Sequence, residues 1–206
     1  MTIESGVLSD TLNIVDKDNN KIDFDAIFEP SVTNEADLVK NYISNVTIAT
    51  SDGDDTIFNS GNATTINGGK GDDFIRLNSA AQNNLIVYNS GDGFDTVEGF
   101  STNTTLQING GDGNDYIYSS CCNNISINSG TGNGSVYIST YTSSGVAHYS
   151  NNVTIALGDG DNYLQNVGGN HILINAGDGN ILLEILSILG VAEENIPKST
   201  LEMATT

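Results

Sequence analysis

The chain has 206 residues, with 26 Asp and Glu against 6 Lys and Arg, for a formal net charge of −20. So few cationic side chains cannot neutralise a nucleic-acid backbone or dock on anionic lipid. With no Trp, two His and two adjacent Cys, a conventional enzyme pocket is poorly provisioned, whereas self-repulsion makes cations the natural partner.

The opening residues, Met1 to Gly6, lack the basic and apolar regions of a Sec-type signal. Residues 1–43 carry short apolar runs, Leu12 to Val15 and Ile22 to Phe28, and Glu35 to Tyr42 reads as a short helix N-capped by Thr33 or Asn34. This segment is expected to cap the chain's repetitive region. Asp16-Lys17-Asp18-Asn19-Asn20 begins like an EF-hand loop, but Lys21 stands where the glycine is required and Ile27 where the closing acid belongs. That reading is rejected.

From residue 44 the sequence repeats. A turn glycine recurs at Gly53, Gly71, Gly93, Gly113, Gly132, Gly160 and Gly179, in steps of 18, 22, 20, 19, 28 and 19. Five residues before each stands Ile48, Ile66, Tyr88, Ile108, Ile127, Ile155 or Ile174. Seven before stands Val46, Thr64, Ile86, Leu106, Ile125, Val153 or Ile172, and four after stands Ile57, Ile75, Val97, Ile117, Val136, Leu164 or Leu183. Apolar residues two apart share one face of a strand. Each unit is therefore strand, glycine turn, strand and return loop. No single unit can bury its apolar face, so the units must stack as a parallel solenoid, seven coils making a rod of roughly 30 Å. All length variation falls in the return loops, so the glycine edge is metrically constant and is the better candidate for function.

That edge reads Thr-Ser-Asp-Gly-Asp-Asp (50–55), Gly-Gly-Lys-Gly-Asp-Asp (68–73), Ser-Gly-Asp-Gly-Phe-Asp (90–95) and Gly-Gly-Asp-Gly-Asn-Asp (110–115). It resembles the RTX, or hemolysin-type, calcium-binding repeat, a nonapeptide G-G-x-G-x-D-x-U-x with U a large aliphatic. Residues 68–76 and 110–118 match at every fixed position. The resemblance covers residues 44–184 and implies a right-handed parallel β-roll with calcium between stacked turns, often exported by type I secretion.

The residue types point the same way on their own chemistry. Calcium takes six to eight oxygens from carboxylates and carbonyls, and glycines let a turn present carbonyls without a Cβ clash. The expected ligands are Asp55, Asp73, Asp95 and Asp115 at the closing position, with Gly53, Gly69, Gly71, Gly91, Gly93, Gly111 and Gly113 supplying carbonyls. In the later turns Gly134, Asn162 and Ile181 replace the closing Asp. Of these only Asn162 keeps a side-chain oxygen and is counted as a ligand. Asp159, Asp161 and Asp178 read as solvated turn carboxylates. The alternate half-turns (59–62 and 119–124) have no Asp, so calcium should line one edge only, unlike the family's usual two.

Other features carry less. Asn45, Asn124 and Asn152 precede the first strand of three coils and read either as an amide ladder or as ordinary turn formers. Cys121 and Cys122 read as plain thiols, and His148 and His171 lack partners. The sequons at Asn45 and Asn152 follow from the Val-Thr-Ile strand pattern. The insertion Tyr137 to Asn152, rich in Tyr, Ser and Thr, reads as a surface loop at the softest coil junction. Leu182 to Leu189 reads as a closing strand or a short amphipathic helix, and residues 185–206 are expected to form the C-terminal cap with a polar tail after Gly190.

The whole is expected to be an all-β, right-handed parallel β-roll of about seven coils with short N- and C-terminal caps. Its expected function is a non-enzymatic, calcium-stabilised module with a structural or adhesive role, extracellular or at a bacterial cell surface. Other proteins, surface polysaccharide and self-association through coil ends are its further expected contacts. The alternative is the accessory solenoid of a secreted enzyme or toxin whose catalytic domain lies elsewhere. An ice-binding array fits poorly, because only Gly130 to Asn133 suggests one.

Overall fold

Strand pairing carries this fold. A computed structural model describes residues 33–77, 85–100, 105–120, 122–139, 141–143, 146–148, 150–192 and 201–203. Every regular element among them is a β-strand. The strands form two parallel stacks. One runs Leu38–Asn41, Thr56–Asn59, Phe74–Leu77, Thr96–Phe100, Tyr116–Ser120, Ser135–Ser139 and the first part of Asn162–Ala176. The other runs Thr47–Ala49, Thr65–Lys70, Leu85–Asp92, Thr105–Asp112, Asn123–Asn128, Ser150–Leu157 and the second part of Asn162–Ala176. The strand Asn162–Ala176 turns the corner between them, and Ile181–Ala192 repeats that path one coil on. The chain is a parallel β-solenoid.

The aliphatic columns of the sequence are the register of the sheets. Ile57, Ile75, Val97, Ile117, Val136, Leu164 and Leu183 pair in succession. Ile48, Ile66, Tyr88, Ile108, Ile127, Ile155 and Ile174 do the same on the facing stack. All but Ile48 are buried, and together they form one continuous core. Each buried aliphatic contributes about 1.5–3 kcal/mol, and none can be moved by one residue without exposing its whole strand.

The N-terminal helix is overturned. Residues 38–41 form a strand paired with 56–59, Val39 opposite Ile57. The segment bonds to the next coil at both ends, through the Asp37 and Asn41 carbonyls that accept the Thr56 and Ser60 amides, a support that an isolated eight-residue helix cannot match. Thr33 still caps, but as a turn: its hydroxyl accepts from the Glu35 amide at 3.2 Å. The solenoid thus begins before the expected boundary at 44, and strand pairing continues past 184 to Ala192. Of the two readings of residues 182–189 the strand is the one found, and Leu201–Met203 adds a further parallel strand. The expectations for residues 1–32, including the EF-hand-like stretch, lie outside the described residues, as does the tail after Ala192 apart from 201–203.

The insertion folds on itself. Tyr141–Ser143 and Val146–His148 pair as an antiparallel hairpin that joins no other described strand. Tyr137 remains on the roll, its ring 5.0 Å from that of Tyr116 and 5.3 Å from that of Tyr163.

Ile117→Ala should lower stability by about 2–5 kcal/mol, the usual cost of a core cavity, read by chemical or thermal denaturation. Hydrogen exchange should find the 141–148 hairpin amides opening faster than those of 116–118 and 135–137; equal protection would contradict the separation of hairpin from roll.

Candidate metal edge

At the glycine edge the two turn residues before each outer strand cannot use the regular ladder, and side chains take its place. Residues just after the turn glycine point outward. The Asp72 amide donates to Asp54 Oδ1 at 2.9 Å, and the Phe94 amide to Asp72 Oδ1 at 2.8 Å. Phe94 has no side-chain acceptor, so the outer rail breaks there and resumes from Asn114 to the Asn133 amide, from Asn133 to the Asp161 amide and from Asp161 to the Asn180 amide. Asp161, read from sequence as a solvated carboxylate, is therefore an acceptor for the next coil, as is Asp159 for the Asp178 amide at 2.8 Å.

The closing aspartates form a second, inner rail that runs the other way. The amides of Asp37, Asp55, Asp73 and Asp95 donate to Oδ1 of Asp55, Asp73, Asp95 and Asp115 at 2.7, 2.8, 2.8 and 3.0 Å. All four acceptor residues are 1% exposed. Oδ2 of each has no hydrogen-bond partner. Four buried carboxylates with an unpaired oxygen are costly in an apolar surround.

Two chemistries alternate around those oxygens. Beside Asp55 and Asp95 stand Thr50 and Ser90, whose hydroxyl protons go to the Gly68 and Gly110 carbonyls at 2.6 and 2.7 Å. The hydroxyls still temper the carboxylates' environment, but their single protons are spent, so Oδ2 stays without a donor. Beside Asp73 and Asp115 stand Gly68 and Gly110. A Cβ on Gly110 would sit 2.5 Å from both Asp115 Oδ2 and the Ser129 carbonyl oxygen, and one on Gly68 would overlap Asp73 Oδ2 and the Ser90 carbonyl. Each glycine thus lets two acceptor oxygens approach the backbone more closely than any side chain would allow.

Burial is the main cause pushing the carboxyls of Asp73 and Asp115 up to about 7, reinforced by neighbouring aspartates and opposed by the backbone donors. Asp55 and Asp95 are raised for the same reason, with Thr50 and Ser90 pulling them down.

The turn glycines hold backbone that other residues resist. Gly91 has φ +111°, and a Cβ there would overlap the Gly69 carbonyl oxygen. The carbonyls of Gly53, Gly71, Gly93, Gly111 and Gly113 likewise point along the stack at the glycine one coil on. Among the described residues no three His, Cys, Asp or Glu side chains converge as a metal-binding group. The acids are strung along the axis instead, so an ion at this edge must take most of its oxygens from backbone. An oxygen-only donor set of orphaned carboxylate and turn carbonyls fits a hard cation such as calcium.

Asn162 does not fit the ligand role expected of it. Its Oδ1 accepts the Gly134 amide at 2.8 Å, and its Nδ2 donates to the carbonyls of Gly158 and Gly160 at 3.0 and 3.2 Å. The oxygen is occupied and the amino group points into the turn. Asp37 was missed from sequence: it occupies the closing column one coil before Asp55, eighteen residues earlier. The Thr33 amide and hydroxyl satisfy its Oδ2 at 2.8 and 3.2 Å.

On the opposite edge amides replace acids. Asn41 and Asn59 are buried and bonded to each other at 2.8 Å. Asn124 and Asn152 are bonded at 2.9 Å, and with Asn45 all three have positive φ, so both readings of that column hold in part. Cys122 is buried, its thiol donating to the Ser120 carbonyl at 3.6 Å, and Cys121 lies outside the described residues. His171 is exposed at φ +53°.

No family model matches the chain, and neither curated proteins nor solved structures give a match.

The raised carboxyls set a pH dependence. A carboxyl that holds its proton more tightly when folded stabilises the fold below about pH 4 and loses that contribution as pH rises through about 7. In chelator, the melting temperature should therefore fall between about pH 4.5 and about 7.5. A flat or rising profile would show that these carboxylates are not desolvated.

Proposed function

We propose that the chain is a non-enzymatic calcium-binding β-roll module, stabilised by ions along its glycine edge and related to the RTX repeats. The observation that carries this is the run of four buried carboxylates, Asp55, Asp73, Asp95 and Asp115, each with an oxygen that no donor reaches. A column of like charges at one strand spacing needs protons or cations, and at neutral pH an oxygen-lined turn selects a hard divalent cation. Asp73 and Asp115, whose Oδ2 atoms lie close to the Ser90 and Ser129 carbonyl oxygens beside Gly68 and Gly110, are the best-supported holders. Bound there, calcium supplies the positive charge that the carboxylates lack, while the chain's own amides keep them aligned.

The corresponding role is structural. A rod that stiffens where calcium is plentiful suits an exported protein at a bacterial surface, where it displays its outer face and its hairpin to other proteins or polysaccharide. The family resemblance supports export; the acidity supports solubility and cation uptake.

Thermal melts followed by circular dichroism, in calcium and in chelator at about pH 7.5, test the reading. Each site held at a hundredfold its dissociation constant adds about 2.7 kcal/mol, or about 5–10 °C for a chain of this length. Magnesium should do less. Asp73→Ala should cut the calcium-induced shift, and an identical melt with and without calcium would remove the cation from the account.

A further inference from the structure

The sixth coil solves the same turn without an ion. Asn162 is 3% exposed and occupies the closing position that Asp holds in the first four coils. Its Oδ1 takes the amide of the preceding coil at 2.8 Å, as Oδ1 of Asp73 takes the Asp55 amide at 2.8 Å. An N–H donor on that atom fixes it as the oxygen. The other terminal atom is therefore the amino group, and it donates to the Gly158 and Gly160 carbonyls of its own turn. In the Asp coils the equivalent atom is Oδ2, and it has no donor. The equivalent carbonyls there belong to Gly69 and Gly71 for Asp73, and to Gly111 and Gly113 for Asp115. Asparagine and aspartate have the same shape, so one turn geometry is met by an amine in one coil and an oxygen in four.

We infer that the Asn162 amide is the chain's own substitute for the bound cation, making the sixth turn self-sufficient while the first four depend on an ion. The inference rests on the calcium reading for its ion-dependent half. The surroundings agree with it. The turn position three residues before the glycine is Thr50, Gly68, Ser90 and Gly110 in the Asp coils but the buried Leu157 in the Asn coil. The seventh coil goes further, closing with Ile181, 7% exposed, whose side chain has no polar atom at all. Gly134 in the fifth coil offers no side-chain acceptor, so the carboxylate rail stops at Asp115 and the ion-independent part begins beyond it. The solenoid thus has a cation-dependent section and a section whose closing positions carry no charge, meeting between Asp115 and Gly134, one coil before the long insertion.

Two exchanges in the full chain test this, with melting temperature read in chelator and in calcium at about pH 7.5. Asp73→Asn should raise the melting temperature in chelator by about 2–4 °C, because the new amino group meets its turn carbonyls. It should also reduce the shift that calcium gives. Asn162→Asp should lower the melting temperature in chelator, and calcium should recover the loss. If Asn162→Asp does not fold in chelator but folds in calcium, the inference is supported in its strongest form; if it folds in neither, Asp73→Asn decides alone. Destabilisation by Asp73→Asn in chelator, or a loss in Asn162→Asp that calcium does not recover, overturns the inference. A wild-type protein indifferent to calcium would sink the calcium reading by itself. In that case Asp73→Asn must still raise the melting temperature, and Asn162→Asp still lower it, for the amide substitution to stand.

Discussion

Parallel stacking places every residue above its own equivalent. Whatever occupies a column meets itself about 4.8 Å away, and the rest of the structure depends on how each column tolerates that. Aliphatic columns gain from it, because Ile57, Ile75, Val97 and Ile117 bury one another. Amide columns gain too, since an amide carries both donor and acceptor: Asn89 donates to Asn67 at 2.7 Å and Asn109 to Asn89 at 2.9 Å. Carboxylate columns lose. Two unit charges at that spacing repel by about 3–4 kcal/mol at an effective dielectric of about 20, and the inner aspartates are desolvated besides. Backbone amides offset part of the penalty through one oxygen, and the second oxygen is left over.

This contrast divides the labour between the edges. Where the chain needs only to turn, as at Asn41 and Asn59, it uses neutral amides that satisfy each other. Among the described residues, acids are buried only on the glycine edge. That edge also has invariant length, whereas the opposite one absorbs insertions up to the hairpin at 141–148. A site needing fixed spacing between coils could be built only on the first.

Much of this was legible in the sequence. Three aliphatic columns at fixed offsets from the turn glycines gave the sheet register residue by residue, because only stacking explains such columns. Asp55, Asp73, Asp95 and Asp115 stood out for the same reason. Asp37 and the strand at 38–41 did not, since the coil before Gly53 lacks a turn glycine to anchor it, and the eight residues from Glu35 to Tyr42 read more easily as a helix. The role of Asn162 was hidden differently: an amide presents either end, and only the Gly134 amide lying against it decides which. The Asn67, Asn89 and Asn109 ladder was present as a column four residues before each glycine, but polar columns are less conspicuous than aliphatic ones.

The two rails on the glycine edge run in opposite senses. On the inner rail a coil's amide reaches forward to the side chain of the next coil, as Asp55 does to Asp73. On the outer rail a coil's amide reaches back to the side chain of the one before, as Asp72 does to Asp54. Adjacent residues in one turn thus grip both neighbours at once. A coil that slid by one position would bring an outward residue to the inner rail and an inward residue to the outer one, breaking both sets of bonds together. Sheets built from near-identical repeats are prone to pairing out of step. Where both rails are present, between the coils of Gly53, Gly71 and Gly93 and again between those of Gly132 and Gly160, they act as a ratchet with teeth cut both ways, holding those coils to a single alignment.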